Sequence, residues 1–455
     1  MRYIIVTLAI LIMLGSTHVH VHAMESIDGG LLVEGRTLVP MRVIFEHLGA
    51  EVKWNEVDKS IIASNQNVTI TMEINNPIVK LNHKSIHLDV APQIIAGKTY
   101  VPLRFVGEAF GGTVKWDGKS NQAVVTTNEK ELRIHVEPEV ITITISAAGD
   151  VTLGSDESYG YQGSFNQTAK NNGHAFFIKN IKDLFSKDDL TMVNLEGPLT
   201  TATTKAKKQF AFKGNPDYTE ILTLGGIDVV NLANNHTFDY LQKGYDDTKK
   251  HLKQAGVGYF GYEDYHIHDI KGVKIGFLGY TGWNDTTTIR SQIKEDIQAL
   301  RGQGTHIIIV NFHWGQEKSY VPNQTQKSLG RHTIDAGADL VVGHHPHVVQ
   351  GIEMYKDKFI VYSLGNFMFG GNRNPSDKDT FVFQQTFHVQ GGSLTTKKDI
   401  NVIPFSVSSV SDRNNFQPTP LTGTKAQTLK DKIIRLSNQI SNSDWTKYEN
   451  KQTIK

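Results

Sequence analysis

Five apolar, β-branched runs in this chain each end in a short polar motif, and that repeated arrangement limits the folds open to it. Ile141-Thr142-Ile143-Thr144-Ile145 leads into Gly149-Asp150, and Leu190-Thr191-Met192-Val193 into Asn194-Leu195-Glu196-Gly197. Val229-Val230-Asn231-Leu232 leads into Asn234-Asn235-His236, and Ile307-Ile308-Ile309-Val310 into His313-Trp314-Gly315. Leu340-Val341-Val342 leads into Gly343-His344-His345-Pro346-His347. Buried strands of a layered α/β domain read as such runs. Ligands bind at the carboxyl ends of those strands. Asp, Glu, Asn and His form a donor set suited to divalent metals. Five motifs in the same placement argue for one composite site.

The 455 residues exceed one ordinary core, so two or more domains are expected. A formal net charge of +1 gives no electrostatic case for nucleic acid or an anionic membrane. Cysteine is absent, which excludes disulfides, thiolate metal sites and cysteine nucleophiles. Arg2 precedes an apolar run from Tyr3 to Leu14, shorter than the ~20 residues of a membrane span. Val21-His22-Ala23 follows with small residues where a signal peptidase reads. Residues 1–23 are therefore expected to be a secretory signal cleaved after Ala23, placing the protein outside the cell or on its surface; an uncleaved anchor is the other reading. His18, His20 and His22 fall in that segment and are read as discarded with it.

An internal repeat comes next. Gly35-Arg36-Thr37-Leu38-Val39-Pro40-Met41-Arg42 matches Gly97-Lys98-Thr99-Tyr100-Val101-Pro102-Leu103-Arg104, and Val52-Lys53-Trp54 matches Val114-Lys115-Trp116. A fixed offset means one supersecondary unit used twice. Each unit reads as a turn, a short helix starting near the Pro, and strands around the Trp. On these motifs residues 29–127 resemble the copper amine oxidase N-terminal-like domain, a module of secreted Gram-positive proteins. Despite that name, His47, His83 and His87 form no recognisable copper set and read as surface or core histidines. The module is read as a wall-binding or protein-binding stalk, or as a spacer. Residues 128–140 are charged, contain Glu137-Pro138-Glu139, and read as a linker.

From 141 to 415, strand-like runs alternate with helical patterns such as Gln242 to Ala255 and Thr325 to Ala336, which argues for α/β architecture. Phe381 to Val389 and Ile400 to Val407 return to strand. In 416–455, Leu429, Ile433, Leu436 and Ile440 share one helix face that is expected to pack on the domain.

Among the motif residues, Asp150 reads as a strand-end ligand or a helix-capping carboxylate. Gly197 and Pro198 force a turn that projects Asn194 and Glu196. The adjacent Asn235 and His236 suit metal ligation and proton transfer. Asp239, three residues on, is placed to orient the His236 ring or to favour a helix dipole. His313 is a ligand or a core histidine, and Glu317 is left undecided between ligand and surface. Three imidazoles in Gly343-His344-His345-Pro346-His347 are costly to bury unless partnered. Pro346 fixes a turn that sends His345 and His347 to one side and His344 elsewhere. Ser363-Leu364-Gly365-Asn366-Phe367 closes the series, with Gly365 allowing close backbone approach to a ligand.

These stretches, together with Asn194-Leu195-Glu196-Gly197-Pro198-Leu199-Thr200 and Asn231 through Tyr240, resemble the capsule-synthesis CapA family of poly-γ-glutamate biosynthesis over about residues 143–410. That family is similar to calcineurin-like metallophosphoesterases. The resemblance implies a metallophosphoesterase-like sandwich of mixed β-sheets flanked by helices, here preceded by the small α+β repeat module. It implies a divalent metal of Mn, Zn or Fe type, with Asp150 as an early ligand and Glu196, or Asn194, in the bridging place. Asn235 would bind metal, His236 would stand near the leaving group, and His313, His345 and His347 would complete the ligands. One departure stands out: the first motif of such enzymes is Asp-x-His, whereas Asp150 is followed by Val151 and Thr152.

Two functions are expected to compete. The first is handling of poly-γ-glutamate or another acidic surface polymer, alongside cell-wall or capsule-synthesis proteins. Lys205, Lys207, Lys208 and Lys213 follow the Glu196 motif and suit such a polymer, with His344 and Asn366 as further substrate contacts. The second is a secreted metal-dependent hydrolase of phosphoesters or amides, with His236 and Asp239 as its catalytic pair.

Overall fold

The computed structural model describes residues 23–127 and 130–450, which divide after Glu139 into two compact units. Residues 1–22 lie outside the described residues, and with them nearly all of the expected signal segment, including His18, His20 and His22. Among the described residues no helix is long and apolar enough to cross a membrane.

The N-terminal unit has a seven-stranded and a five-stranded sheet with the short helices Met41–His47 and Leu103–Ala109. Pro40 and Pro102 stand immediately before the first helical residue of each repeat, where the fixed proline φ and the missing N–H cost nothing. Val39, Ile44 and Phe45 from one repeat and Val101, Leu103 and Val106 from the other fill one core. The segment read as a linker differs: Lys130–Glu137 is a strand, parallel to Ala23–Val33 and antiparallel to Gln122–Thr126. Leu132, Ile134 and Val136 alternate into the core, a period-2 pattern that the flanking charges obscure.

The C-terminal unit is an α/β sandwich. Its first sheet runs Gly258–Phe260, Val229–Asn231, Leu190–Leu195, Val140–Thr152, Asp379–Gln390, Ser393–Ser406 and Thr419–Pro420, with Asn366–Phe369 pairing beside Val140–Thr152. Its second runs His266–Ile270, Val273–Gly282, Ile307–Trp314, Leu340–His344, Lys358–Val361 and Ile352–Tyr355. Neighbours around the motif-bearing strands are parallel, so their carboxyl ends share one edge.

Alternation along each strand builds the layers. Ile143, Ile145, Leu190, Met192, Ile307, Ile309, Leu340 and Val342 point into the core shared by the two sheets. Val193, Leu195 and Val230 point outward to a layer holding Phe165, Ile221, Leu222 and Leu252 of three helices. Ile308, Val310 and Phe312 point outward to Ile293, Ile297 and Leu329 of the helices Thr287–Gly302 and Gln324–Ala336. The C-terminal helix Gly423–Ser437 brings Leu429, Ile433 and Leu436 into the central core, while Ile440 lies beyond its end. Trp445 in the tail is fully buried and donates from Nε1 to Ser437 Oγ at 3.1 Å, so this part of the tail belongs to the fold.

At the opposite, amino-terminal end of the strands, Asp188 accepts from Thr191 Oγ1 at 2.7 Å. Burial, reinforced by Asp228 and Asp189, pushes its carboxyl up to about 6 against hydrogen bonds from Ser146 and Thr191. A carboxyl raised on folding favours the folded chain below its unfolded value near 3.9, and that advantage is lost as pH rises through 6. Asp188→Asn is therefore expected to stabilise the protein by about 1 kcal/mol at pH 8 and to do little at pH 4. Urea midpoints at the two pH values check this; an equal effect at both would refute it.

Candidate metal centre

The site is the inner face of the sandwich continued past its apolar section. Counting in twos, Met192 is followed by Asn194 and Glu196, Val229 by Asn231, Ile309 by Asn311 and His313, and Val342 by His344. Asp150 would miss this face by parity. A bulge corrects it: Ala147 pairs with Met192 but Asp150 with Asn194, so one extra residue turns the carboxylate inward. Register then aligns Asp150, Asn194 and Asn231 across the first sheet and His313 with His344 across the second.

Asp150 is fully buried and is the hub. It accepts from Asn194 Nδ2 at 2.9 Å and from the His345 N–H at 3.3 Å, and it faces His347 Nδ1 at 3.2 Å and His344 Nδ1 at 3.4 Å. Burial pushes its pKa up, but hydrogen bonds from His344 and His347 outweigh that and hold it well below the usual carboxylate range. His347 rises to about 9 despite burial, through the charge of Glu196 and its bond to Asp150. His347 Nδ1 also meets Asn366 Oδ1 at 2.9 Å, which leaves Nε2 facing Glu196 Oε1 at 3.8 Å.

Glu196 contrasts with Asp150. It is equally buried, yet neither carboxylate oxygen has a hydrogen-bond partner. Burial pushes it up to about 8, the charge of His347 opposes this, and Asp150 and Glu317 add to it. His313 Nε2 stands 3.6 Å from Glu196 Oε1 and 2.8 Å from Asn235 Oδ1. Burial, with His345 nearby, lowers His313 well below the ordinary imidazole value; burial, with His347 nearby, takes His345 to about 4. Ligand atoms of Glu196, His313 and His345, and separately of Asp150, Glu196 and His347, lie within 4.8 Å of one another. This set fits a divalent cation: a buried carboxylate without donors, faced by the His313 and His345 imidazoles that burial holds neutral, is what such an ion satisfies.

Beside the cluster, His236 Nδ1 lies 2.7 Å from Asp239 Oδ2, and its Nε2 is 4.0 Å from Glu196 Oε1. Burial lowers the His236 pKa although Asp239 opposes it. Asp239 is fixed by the Phe212 N–H and by Lys208 Nζ, both at 2.6 Å. The Phe212 ring packs on His236 at 4.3 Å.

Several expected roles change with this geometry. Asn194 is not free to ligate, because its Nδ2 serves Asp150 and its Oδ1 accepts from Asn231 and Asn234 at 3.0 and 3.3 Å. His344 and Asn366 are buried, His344 with Nδ1 3.4 Å from Asp150 and Nε2 3.4 Å from Asn311 Nδ2, and Asn366 paired with His347, so burial keeps both from substrate contact. Lys208 is turned onto Asp239 and the Asn235 carbonyl, and Lys213 onto Glu157. Lys205 and Lys207 are exposed. Gly365 does approach backbone closely, but the partner is its own sheet: a Cβ on Gly149 would lie 2.0 Å from Gly365 O.

Sequence reasoning missed Asn231 and Asn311, which the two-residue alternation would have placed on the inner face. It also missed Trp283, whose ring stands edge-on to His345 at 4.7 Å.

Residues 144–371 match the family described as bacterial capsule synthesis protein PGA_cap, and 27–125 and 97–147 match the copper amine oxidase N-terminal domain. The capsule biosynthesis protein CapA of Bacillus anthracis is 28% identical over 354 residues, covering 70% of this chain and 79% of that protein. The PGA biosynthesis protein CapA of Bacillus subtilis (strain 168) is 28% identical over 363 residues, covering 74% and 86%. A probable polyglutamine synthesis accessory protein of Mycobacterium tuberculosis is 25% identical over 287 residues, covering 55% and 73%. With half of its length matched and every motif of the site inside the match, the chain belongs to the bacterial capsule synthesis protein PGA_cap family.

Proposed function

We propose that this chain handles an acidic polymer of the poly-γ-glutamate type in capsule production at the cell surface, through a centre that holds a divalent cation. The observation carrying this reading is Glu196, a fully buried carboxylate with two unpartnered oxygens among His313, His345 and His347. An ionised carboxylate left that way is strongly unfavourable, and a cation removes the cost. Asp150, Glu196, His313, His345 and His347 would hold the ion, with Asn235 at its edge. Of the two residues offered for the bridging place, Glu196 has the free oxygens. A cation bound there supplies Lewis acidity toward a carbonyl or phosphoryl oxygen. His236, its pKa lowered by burial and its ring oriented by Asp239, is the group that holds or releases a proton at Nε2. The capsule and PGA biosynthesis relatives support the polymer assignment. The doubled N-terminal module serves as a stalk or wall-binding module.

Lys205 and Lys207 are the cations available to an acidic chain, since Lys208 and Lys213 are engaged inward. A Lys205→Glu/Lys207→Glu double variant is expected to bind poly-γ-glutamate at least about tenfold more weakly at low salt, the gap closing as salt screens the charges. Unchanged affinity at low ionic strength would remove the lysines from the reading. The His236–Asp239 pair favours a second reading, a metal-dependent hydrolase of phosphoesters or amides. Turnover of a phosphoester and amide panel by the metal-loaded full chain separates the two.

A further inference from the structure

We propose that Glu317 is a ligand of the metal centre, closing it from the solvent side together with His345 and His347; this rests on reading the cluster as a metal site. The strand Val140–Thr152 is one donor short, because Thr152 stands where an Asp-x-His motif would carry its imidazole, and the buried Thr152 Oγ1 has no partner. A further donor is offered by the turn after the strand Ile307–Trp314. Gly315 reverses the chain there at φ +84, a left-handed conformation that favours glycine. The Lys318 N–H then donates to the Pro346 carbonyl at 2.8 Å. That bond ties the turn to the residue between His345 and His347, and ligand atoms of Glu317, His345 and His347 lie within 4.8 Å of one another.

One further observation points to an ion. His345 is 8% exposed, and its Nδ1 has no hydrogen-bond partner. His345 and His347 are both held at positive φ, +96 and +57, on either side of Pro346. Non-glycine residues are kept in that region where the surroundings over-determine them, characteristically at ligand sites. A mixed carboxylate and imidazole set suits the same Mn, Zn or Fe type of ion as the buried groups. Because Glu317 is exposed, an ion it shares keeps one side open to solvent, where a carboxylate of an acidic polymer can approach.

The test uses full-length wild type, Glu317→Ala and, as a surface control on the helix Thr287–Gly302, Glu295→Ala. Each is stripped with chelator and titrated by calorimetry with Mn²⁺ and, in separate runs, with Zn²⁺ and anaerobic Fe²⁺, with bound metal counted after dialysis and the thermal midpoint read with and without Mn²⁺. The expected result is that at least one wild-type equivalent weakens about tenfold or more in Glu317→Ala, in the 10–100-fold range typical of lost metal-site support. The Mn²⁺-induced rise in midpoint should shrink with it, while Glu295→Ala matches wild type. If every equivalent binds Glu317→Ala as it binds wild type, the Glu317 assignment is overturned and the metal reading stands. If wild type binds no Mn²⁺, Zn²⁺ or Fe²⁺, the metal reading itself is overturned.

Discussion

Asp150→Ala and Glu196→Gln are expected to abolish metal retention alike and yet to move the stability of the metal-free chain differently. Asp150 receives Asn194 Nδ2 and the His345 N–H and faces two imidazoles. Removing it leaves His347, raised to about 9 by its acidic neighbours, without the carboxylate that its Nδ1 meets. Breaking a buried pair from one side costs about 3–5 kcal/mol. Glu196 has no donor to lose and burial raises its carboxyl to about 8, so an isosteric neutral amide should not destabilise the metal-free chain and is expected to stabilise it at neutral pH and above. Metal content by mass spectrometry and guanidinium unfolding in chelator give the two readouts. Retained metal in Asp150→Ala would remove that residue from the ligand set. Equal destabilisation by the two variants would mean that Glu196 has partners in solution.

The second large effect concerns packing alone. A Cβ on Gly343 would lie 2.0 Å from Tyr362 O and 2.4 Å from Trp314 Nε1, and Trp314 Nε1 already donates to Tyr362 O at 2.9 Å. Trp314 ends the strand on one side of Leu340–His344 and Tyr362 directly follows the strand Lys358–Val361 on the other, so the two cannot retreat separately. Gly343→Ala is expected to cost about 3 kcal/mol or more, at the upper end of overpacking effects. Gly256→Ala is the matched control. Its φ is +75, but its Cβ would meet nothing within 4 Å, so only the backbone penalty of about 1 kcal/mol applies. Denaturant unfolding of both variants decides this, and a Gly343→Ala chain as stable as Gly256→Ala would contradict the packing argument. The motif glycines thus have a structural reason independent of any ligand: without a side chain at Gly149 and Gly343, the strands approach closely enough to deliver Asp150 and His344.

Much of this was legible from residues. The five apolar runs are strands, the helices Leu241–Ala255 and Gln324–Ala336 fall within one residue of the segments expected, and Pro40 and Pro102 do begin the repeat helices. Periodicity carries such elements because burial repeats along them. The strand Lys130–Glu137 was hidden because charged residues occupy its exposed positions and flanks while only three apolar residues face inward. The roles of Asn194, His344 and Asn366 were hidden for another reason. A polar residue in a motif reads as a ligand until its own partners are known, and those partners sit on other strands.

Local sequence therefore determined which residues reach the carboxyl edge, since alternation along a strand and a turn at its end are properties of a few consecutive residues. Only the tertiary structure decided which of them face one another. The bulge before Asp150, the left-handed backbone at His345 and His347, and the bond from Lys318 to Pro346 are settled by contacts between distant segments. Those contacts separate Asp150, a carboxylate ringed by donors, from Glu196, a carboxylate with none. That difference in solvation and partners comes from the surroundings, because the side chains carry the same charged group.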